Sequence, residues 1–173
     1  MTKMTVTALH LEPRHFVPNN ARLPALIYEG AFDANAADLA TLMEKRFREN
    51  GWPPQWRDGI YDFDHYHSQG HEVLGIAAGS ATIILGGTGG REIEVRTGDV
   101  LVLPAGTGHR RISQSEDFLV VGAYPPGQAG DIVREDATPA MLQKIALLSF
   151  PPRDPVVGDD GPLLRLWVDV TVA

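Results

Sequence analysis

The sequence contains no cysteine among its 173 residues. This absence excludes disulfide bonds, thiolate metal ligands and a cysteine nucleophile. Any metal ion bound by this chain must therefore be held by histidine, carboxylate, backbone or water.

Long apolar runs are absent as well, and Met1 to Leu11 lacks the apolar core of a signal peptide. We therefore expect a cytoplasmic protein that does not associate with a membrane. The formal net charge is -7, and no basic patch stands out. Because nucleic-acid-binding proteins usually carry such a patch, nucleic acid is not an expected partner.

Two further motifs are missing. No Gly-X-Ser-X-Gly segment provides a hydrolase nucleophile. The glycine pairs Gly86-Gly87 and Gly89-Gly90 are not followed by Lys-Ser/Thr or by a helical pattern, so they do not form a phosphate-binding loop. They are typical instead of hairpin turns.

The length suits one domain with a sizeable core. A helix is predicted from Asn35 to Asn50, with Asn35 as its N-cap and an apolar stripe at helical spacing. A second, short helix is predicted to begin with Pro139 at its first position and to end near Gln143. Short β-rich runs separated by glycine turns indicate a sandwich or barrel. The predicted strands are Tyr61–His67, Glu72–Ala77, Ala81–Leu85, Ile93–Val95, Val100–Leu103, Phe118–Tyr124, Ile145–Phe150 and Leu163–Val170.

Four side chains form a candidate metal site. His65 and His67 lie two residues apart on a predicted strand, so both imidazoles face the same side. Glu72 follows a short turn, and His109 reaches the same point if the sheet closes. Three imidazoles and one carboxylate suit divalent Fe, Mn, Ni, Co or Zn, and they leave coordination positions open for water or substrate.

His71 competes with Glu72 for the fourth ligand position. The two residues are adjacent, so they should face opposite sides of a strand. The alternation of side chains along the strand favours Glu72 as the residue that faces the three histidines. His71 would then not be a metal ligand.

The spacing of these residues resembles the two sequence motifs of the cupin superfamily. The first motif corresponds to Gly59, His65-Tyr66-His67, Glu72 and Gly79, and the second to Gly98, Pro104-Ala105-Gly106 and His109. Only the last position of the second motif departs, because Ser113 stands where the family pattern has Asn. Further segments resemble the YjlB-like cupins, including His71-Glu72-Val73-Leu74-Gly75 and Val121-Gly122-Ala123-Tyr124-Pro125.

The resemblance implies an all-β fold, the cupin double-stranded β-helix or jelly-roll barrel, with the N-terminal helix packed outside it. We expect a single domain over residues 1–173, a barrel core at about 57–126 and flanking C-terminal strands. A homodimer is a further expectation, since cupins often pair through sheet edges or exchanged termini.

The leading hypothesis for function is a metal-dependent enzyme, a dioxygenase or an isomerase, acting on a small organic molecule. The alternative is a non-enzymatic cupin that binds or senses a small molecule in the same pocket, because fold alone does not decide between them. No catalytic residue beyond the metal ligands can be assigned from the sequence.

Four residues near the site are candidates for the pocket. Tyr61 and Phe63 alternate along the predicted strand in step with His65 and His67, so they should face the same side. Packing in the barrel core would explain both residues equally well. Arg111 shares the parity of His109 and could pair with a substrate carboxylate, and the alternative is a surface arginine. Tyr124 lies at the end of the last barrel strand.

Overall fold

The computed structural model describes residues 3–168, which form nine strands and three α-helices. The strands are β1 (Thr5–Leu9), β2 (Ala25–Glu29), β3 (Pro54–Asp58), β4 (Glu72–Ala78), β5 (Ser80–Leu85), β6 (Arg91–Arg96), β7 (Val100–Leu103), β8 (His109–Gln114) and β9 (Leu119–Ala123). The helices are α1 (Leu39–Glu49), α2 (Pro139–Leu147) and α3 (Pro162–Leu166).

The strands form two antiparallel sheets. One contains six strands in the order β1-β2-β7-β4-β9-β3, and the other contains β6-β5-β8. Leu74, Leu101 and Val120 of the larger sheet pack against Ile83 and Leu85 of the smaller one. The two sheets therefore enclose an apolar interior between them, as in a jelly roll. The expected all-β class is confirmed.

The larger sheet is covered on both faces. Val73, Val102 and Val121 alternate with the inward-facing residues and belong to a second apolar core, which includes Met43 and Phe47 of α1. This alternation explains why all four residues of β7 are buried. The helix therefore packs outside the barrel, as predicted.

Helix α1 lies close to β4 because Gly75 has no side chain. A Cβ atom there would come within 2.7 Å of Met43 Sδ and 3.0 Å of the Phe47 ring. The helix begins later than predicted: it starts at Leu39, after Asp38, whose φ of 50° is left-handed. Asn35 is therefore not the N-cap. Its N–H instead donates to Asp33 Oδ1 in the preceding turn.

Strands β1 and β2, together with the first part of β3, lie before the predicted barrel core of about 57–126 and belong to the six-stranded sheet. Strand β1 pairs with β2, and β2 pairs with β7, a contact between distant parts of the chain. Strand β3 pairs with β9.

The two predicted C-terminal strands are wrong. Ile145–Phe150 was expected to be a strand, but α2 begins at Pro139 as predicted and continues to Leu147, with the Thr138 side chain accepting from the Met141 N–H. Leu163–Val170 was also predicted as a strand. Instead α3 spans Pro162–Leu166, and Leu163 and Trp167 are buried at the i, i+4 spacing of a helix. Val170 lies outside the described residues.

The predicted strand Tyr61–His67 is an irregular extended segment. It bends at residues 62–63 and forms isolated bridges only at His65 and Tyr66. No helix within residues 3–168 is long and apolar enough to cross a membrane.

Candidate metal centre

Three histidines from two separate segments meet inside the barrel. The His109 N–H donates to the His65 carbonyl at 3.0 Å, and this bridge brings the start of β8 beside the segment that precedes β4. The ring centroids of these two histidines are 4.1 Å apart. One ligand nitrogen from each of His65, His67 and His109 lies within 4.8 Å of the others, and all three residues are buried.

Each of these imidazoles is oriented by a backbone carbonyl. The pairs, measured from Nδ1 to the carbonyl oxygen, are His65 with Phe63 at 3.0 Å, His109 with Thr107 at 3.0 Å, and His67 with Asp131 at 2.5 Å. A carbonyl only accepts, so Nδ1 carries the donated proton in each ring. In a neutral ring Nε2 then keeps its lone pair, as metal ligation by histidine requires.

Glu72 completes the cluster at the start of β4. Its Oε1 lies 3.1 Å from His67 Nε2 and 3.4 Å from His109 Nε2, and its side chain is 2% exposed. Its other oxygen, Oε2, accepts a 2.7 Å hydrogen bond from the Tyr124 hydroxyl. That hydroxyl in turn accepts from Trp56 Nε1 at 2.9 Å. The carboxylate is therefore held from one side while Oε1 faces the imidazoles.

The cluster is electrostatically coupled. Burial raises the pKa of Glu72, but the neighbouring His67 and His109 outweigh it and hold that pKa well below its usual range. Burial lowers the pKa of His67, yet the Glu72 carboxylate outweighs it and raises this pKa to about 9. Burial, together with His109, lowers the pKa of His65 to about 3. The site therefore favours one positive charge next to Glu72, which is the place a metal cation would take.

His71 lies on the opposite side of the strand from the cluster. Its Nδ1 accepts a 2.9 Å hydrogen bond from the Ala105 N–H, and its Nε2 is 3.2 Å from the Leu148 carbonyl. The His71 ring packs against the Trp167 ring, with the ring centroids 5.0 Å apart. Burial lowers the pKa of His71 to about 4, which suits a neutral ring with one donor and one acceptor. The geometry thus places Glu72, and not His71, among the three histidines.

The cluster opens into a cavity of about 700 Å³. Tyr61 lies at its mouth and is half exposed, while Arg111 and Tyr124 line its walls. Phe63 stacks on Tyr61 with ring centroids 4.8 Å apart, and the Arg134 guanidinium lies 3.8 Å from the centroid of the Phe63 ring. Among the four pocket candidates, Tyr61, Arg111 and Tyr124 line the cavity, and Phe63 supports Tyr61.

Sequence reasoning missed two residues that shape the site. The Asp131 carbonyl orients His67, and its carboxylate accepts 2.9 Å hydrogen bonds from the N–H groups of Ser68 and Gln69. Trp56 lies opposite Gly122, where a Cβ atom would come within 2.1 Å of the indole ring. The register of β3 and β9 is the signal that would have found Trp56; no local pattern marks Asp131.

Comparison with known proteins relates this geometry to a family. No protein-family model matches the chain. The uncharacterized protein YjlB of Bacillus subtilis (strain 168) is 36% identical over 158 residues, which cover 88% of this chain and 90% of that protein. The chain belongs to the YjlB family. Its two antiparallel sheets have the jelly-roll arrangement that the sequence leads one to expect.

Two solved structures show weaker likeness. A DUF861 family protein from Thermotoga maritima matches 47% of this chain and 85% of its own, with 19% identity and a TM-score of 0.32. The dTDP-4-dehydrorhamnose 3,5-epimerase of Bacillus anthracis, with TDP and PPi bound, matches 84% of this chain and 99% of its own, with 8% identity and a TM-score of 0.34. Likenesses this weak support no inference about the chemistry of this YjlB family member.

Proposed function

We propose that this chain is a metal-dependent enzyme, of the oxygenase or isomerase type, that acts on a small organic molecule inside the barrel. The observation that carries the proposal is the convergence of His65, His67 and His109 on Glu72 at the base of an open cavity. Three nitrogens and one carboxylate oxygen match the ligand preference of divalent Fe, Mn, Ni, Co or Zn.

The donor set fits such an ion. The Nδ1 atoms are committed to backbone carbonyls, so each imidazole can offer only Nε2. When bound, a metal ion in this position supplies a Lewis acid, and a redox-active one also supplies electrons for oxygen chemistry. Four protein ligands leave coordination positions on the cavity side for substrate or water.

The surrounding residues prepare the cavity for a small molecule. Its volume lies within the range of ordinary ligand pockets. Leu74, Ile60 and Phe118 line it with apolar surface, which suits the carbon skeleton of a small organic molecule. Burial and the Glu72 charge raise the pKa of Tyr124. Its phenol therefore keeps its proton and donates a hydrogen bond to Glu72.

Glu72 is a poor general base in this arrangement. Its two oxygens are already engaged with Tyr124, His67 and His109. An isomerase would therefore need a base other than Glu72, whereas oxygen chemistry at a redox-active metal does not use Glu72 as a base.

Turnover measurements test the proposal. We would load the full chain anaerobically with each of the five metals and follow oxygen consumption and product formation on a panel of small acids, thiols and phenols. The matched controls are His109→Ala, which removes a ligand, and His10→Ala, which removes an exposed histidine outside the barrel.

We expect turnover with at least one metal, retained in His10→Ala and lost in His109→Ala. Turnover that persists in His109→Ala or after chelation would contradict the proposal. Tight ligand binding without turnover for every metal would instead favour the binding or sensing protein.

A further inference from the structure

Arg111 lies on the same face of β8 as His109 and lines the same cavity. Its Nε–H donates a 3.1 Å hydrogen bond to the Ile60 carbonyl. This bond fixes the plane of the guanidinium and leaves the two terminal nitrogen groups for other partners. The backbone is fixed as well, because the Arg111 N–H donates to the Tyr61 carbonyl at 2.9 Å.

Two neighbouring arginines have carboxylate partners. Arg110 pairs with Asp64 at 3.1 Å on the outer side of the same strand. Arg57 forms two hydrogen bonds with Glu44, at 2.6 and 3.0 Å. Within residues 3–168, by contrast, no carboxylate lies within 4.0 Å of the Arg111 guanidinium nitrogens. Arg111 thus presents a planar positive group to the cavity without a carboxylate of its own.

The rest of the wall limits what the ligand can be. Trp56, Ile60 and Phe118 supply apolar surface beside Arg111. Asp58 and Asp62 also line the cavity. Their negative charge disfavours a second anionic group on the ligand, since like charges close together repel. A molecule with one carboxylate and an apolar body satisfies both conditions.

We propose that the cavity binds a monocarboxylic acid whose carboxylate accepts two hydrogen bonds from Arg111 and whose apolar body lies against Trp56 and Phe118. Bidentate pairing of this kind is the geometry that a guanidinium provides and an ammonium does not. Because Arg111 and His109 are two residues apart on one strand face and line the same cavity, a ligand held by Arg111 would lie next to the histidine cluster. That this acid is a substrate rests on the proposed function. That the cavity binds it does not.

Calorimetric titration of the full chain tests this inference. The probes are 3-methylbutanoate, benzoate and 3-phenylpropanoate, each compared with its uncharged primary amide. Each pair is measured on wild type, Arg111→Gln, Arg111→Lys and the matched control Arg110→Gln, with and without Zn(II), which has no redox chemistry. Circular dichroism checks that every variant is folded.

We expect at least one acid to bind wild type about tenfold or more tightly than its amide, with or without Zn(II). This preference should fall to within about twofold in Arg111→Gln, remain partly in Arg111→Lys and be unchanged in Arg110→Gln. The inference is overturned if no acid binds more tightly than about 1 mM, if Arg111→Gln keeps the preference, or if Arg110→Gln loses it equally.

An acid preference that depends on Arg111 but not on Zn(II) would support the inference even if no metal-dependent turnover were found. Conversely, metal-dependent turnover in a protein that shows no preference for any acid over its amide would leave the proposed function intact and overturn the proposal of a monocarboxylate ligand. The two proposals therefore fail through different results.

Discussion

At the scale of single residues, Tyr124 links the interior of the sheet to the metal centre. Its hydroxyl donates to Glu72 at 2.7 Å and accepts from Trp56 at 2.9 Å. Gly130 makes room for it, because a Cβ atom there would lie 2.0 Å from the hydroxyl oxygen. Partners of this kind orient a ligand and tune its charge without touching the metal. We therefore assign Tyr124 a positioning role.

Tyr124→Phe should weaken metal binding by about 10- to 100-fold, because one oxygen of Glu72 loses its donor and the carboxylate can rotate. The same change should lower the free energy of unfolding by about 1–3 kcal/mol. A metal-competition titration and urea denaturation measure the two effects.

Tyr28→Phe is the matched control for that variant. Tyr28 is fully buried and donates a 2.5 Å hydrogen bond to the Asp154 carboxylate, away from the histidine cluster. The Tyr28→Phe variant should lower the free energy of unfolding by a similar amount and keep wild-type metal affinity. Equal metal affinity in both variants would show that Tyr124 does not position Glu72.

At the scale of elements, strand parity at the start of β4 separates two adjacent ionisable residues. Glu72 faces the barrel interior, while His71 packs against Trp167 and Phe150 on the outer side. The residues that follow keep the alternation, with Val73 in the outer core and Leu74 in the inner one. Each side chain therefore has one role, set by the side of the sheet it faces.

His71→Ala should leave metal stoichiometry unchanged and lower the free energy of unfolding by about 2 kcal/mol or more. The loss comes from the cavity beside Trp167 and from the Ala105 N–H, which loses its acceptor. Glu72→Gln should instead weaken metal binding strongly. Metal analysis and urea denaturation on both variants check this, and loss of metal in His71→Ala would show that the assignment of sides is wrong.

Elements whose burial pattern is set locally could be predicted from the sequence. Five of the barrel strands are found within a few residues of their predicted positions, because glycine, proline or aspartate residues at turns lie close to the ends of these runs. The proximity of His65, His67, Glu72 and His109 could be predicted because strand parity and the spacing of two motifs agree on the same four residues. Leu163–Val170 was not, since a short apolar run with charged neighbours fits a strand or a helix equally well.

Contacts between distant segments account for what the sequence could not reveal. Trp56 and Tyr124 are 68 residues apart, and His67 and the carbonyl of Asp131 are 64 apart. Neither pairing leaves a local pattern, since it depends on the register of strands and on the course of a loop. The residues that hold the metal centre in place are therefore visible only in the folded chain.

At the scale of the whole molecule, a buried carboxylate helps to attach the C-terminal region to the barrel. Asp154 is fully buried, and its Oδ1 accepts from the N–H groups of Val156 and Val157 at 2.8 and 3.0 Å. Its Oδ2 accepts from the Tyr28 hydroxyl and from the Leu163 N–H. One side chain thus connects β2, the loop after α2 and the first turn of α3.

Asp154→Ala should lower the free energy of unfolding by at least about 3 kcal/mol, because several buried donors lose their acceptor together. The matched control is Asp159→Ala, whose side chain is 79% exposed and lies 3.5 Å from the Arg153 guanidinium. That variant should change stability by no more than about 0.5 kcal/mol. Similar urea midpoints for the two variants would contradict the role given to Asp154.

The central claim is that His65, His67, Glu72 and His109 bind one divalent transition metal ion. Elemental analysis tests it most directly, on protein made without a histidine tag, loaded anaerobically with Fe(II) and desalted. We expect about one metal ion per chain in wild type and in His10→Ala, and a large loss in His109→Ala. Wild-type protein without stoichiometric transition metal, or His109→Ala protein with a full complement, would contradict the claim.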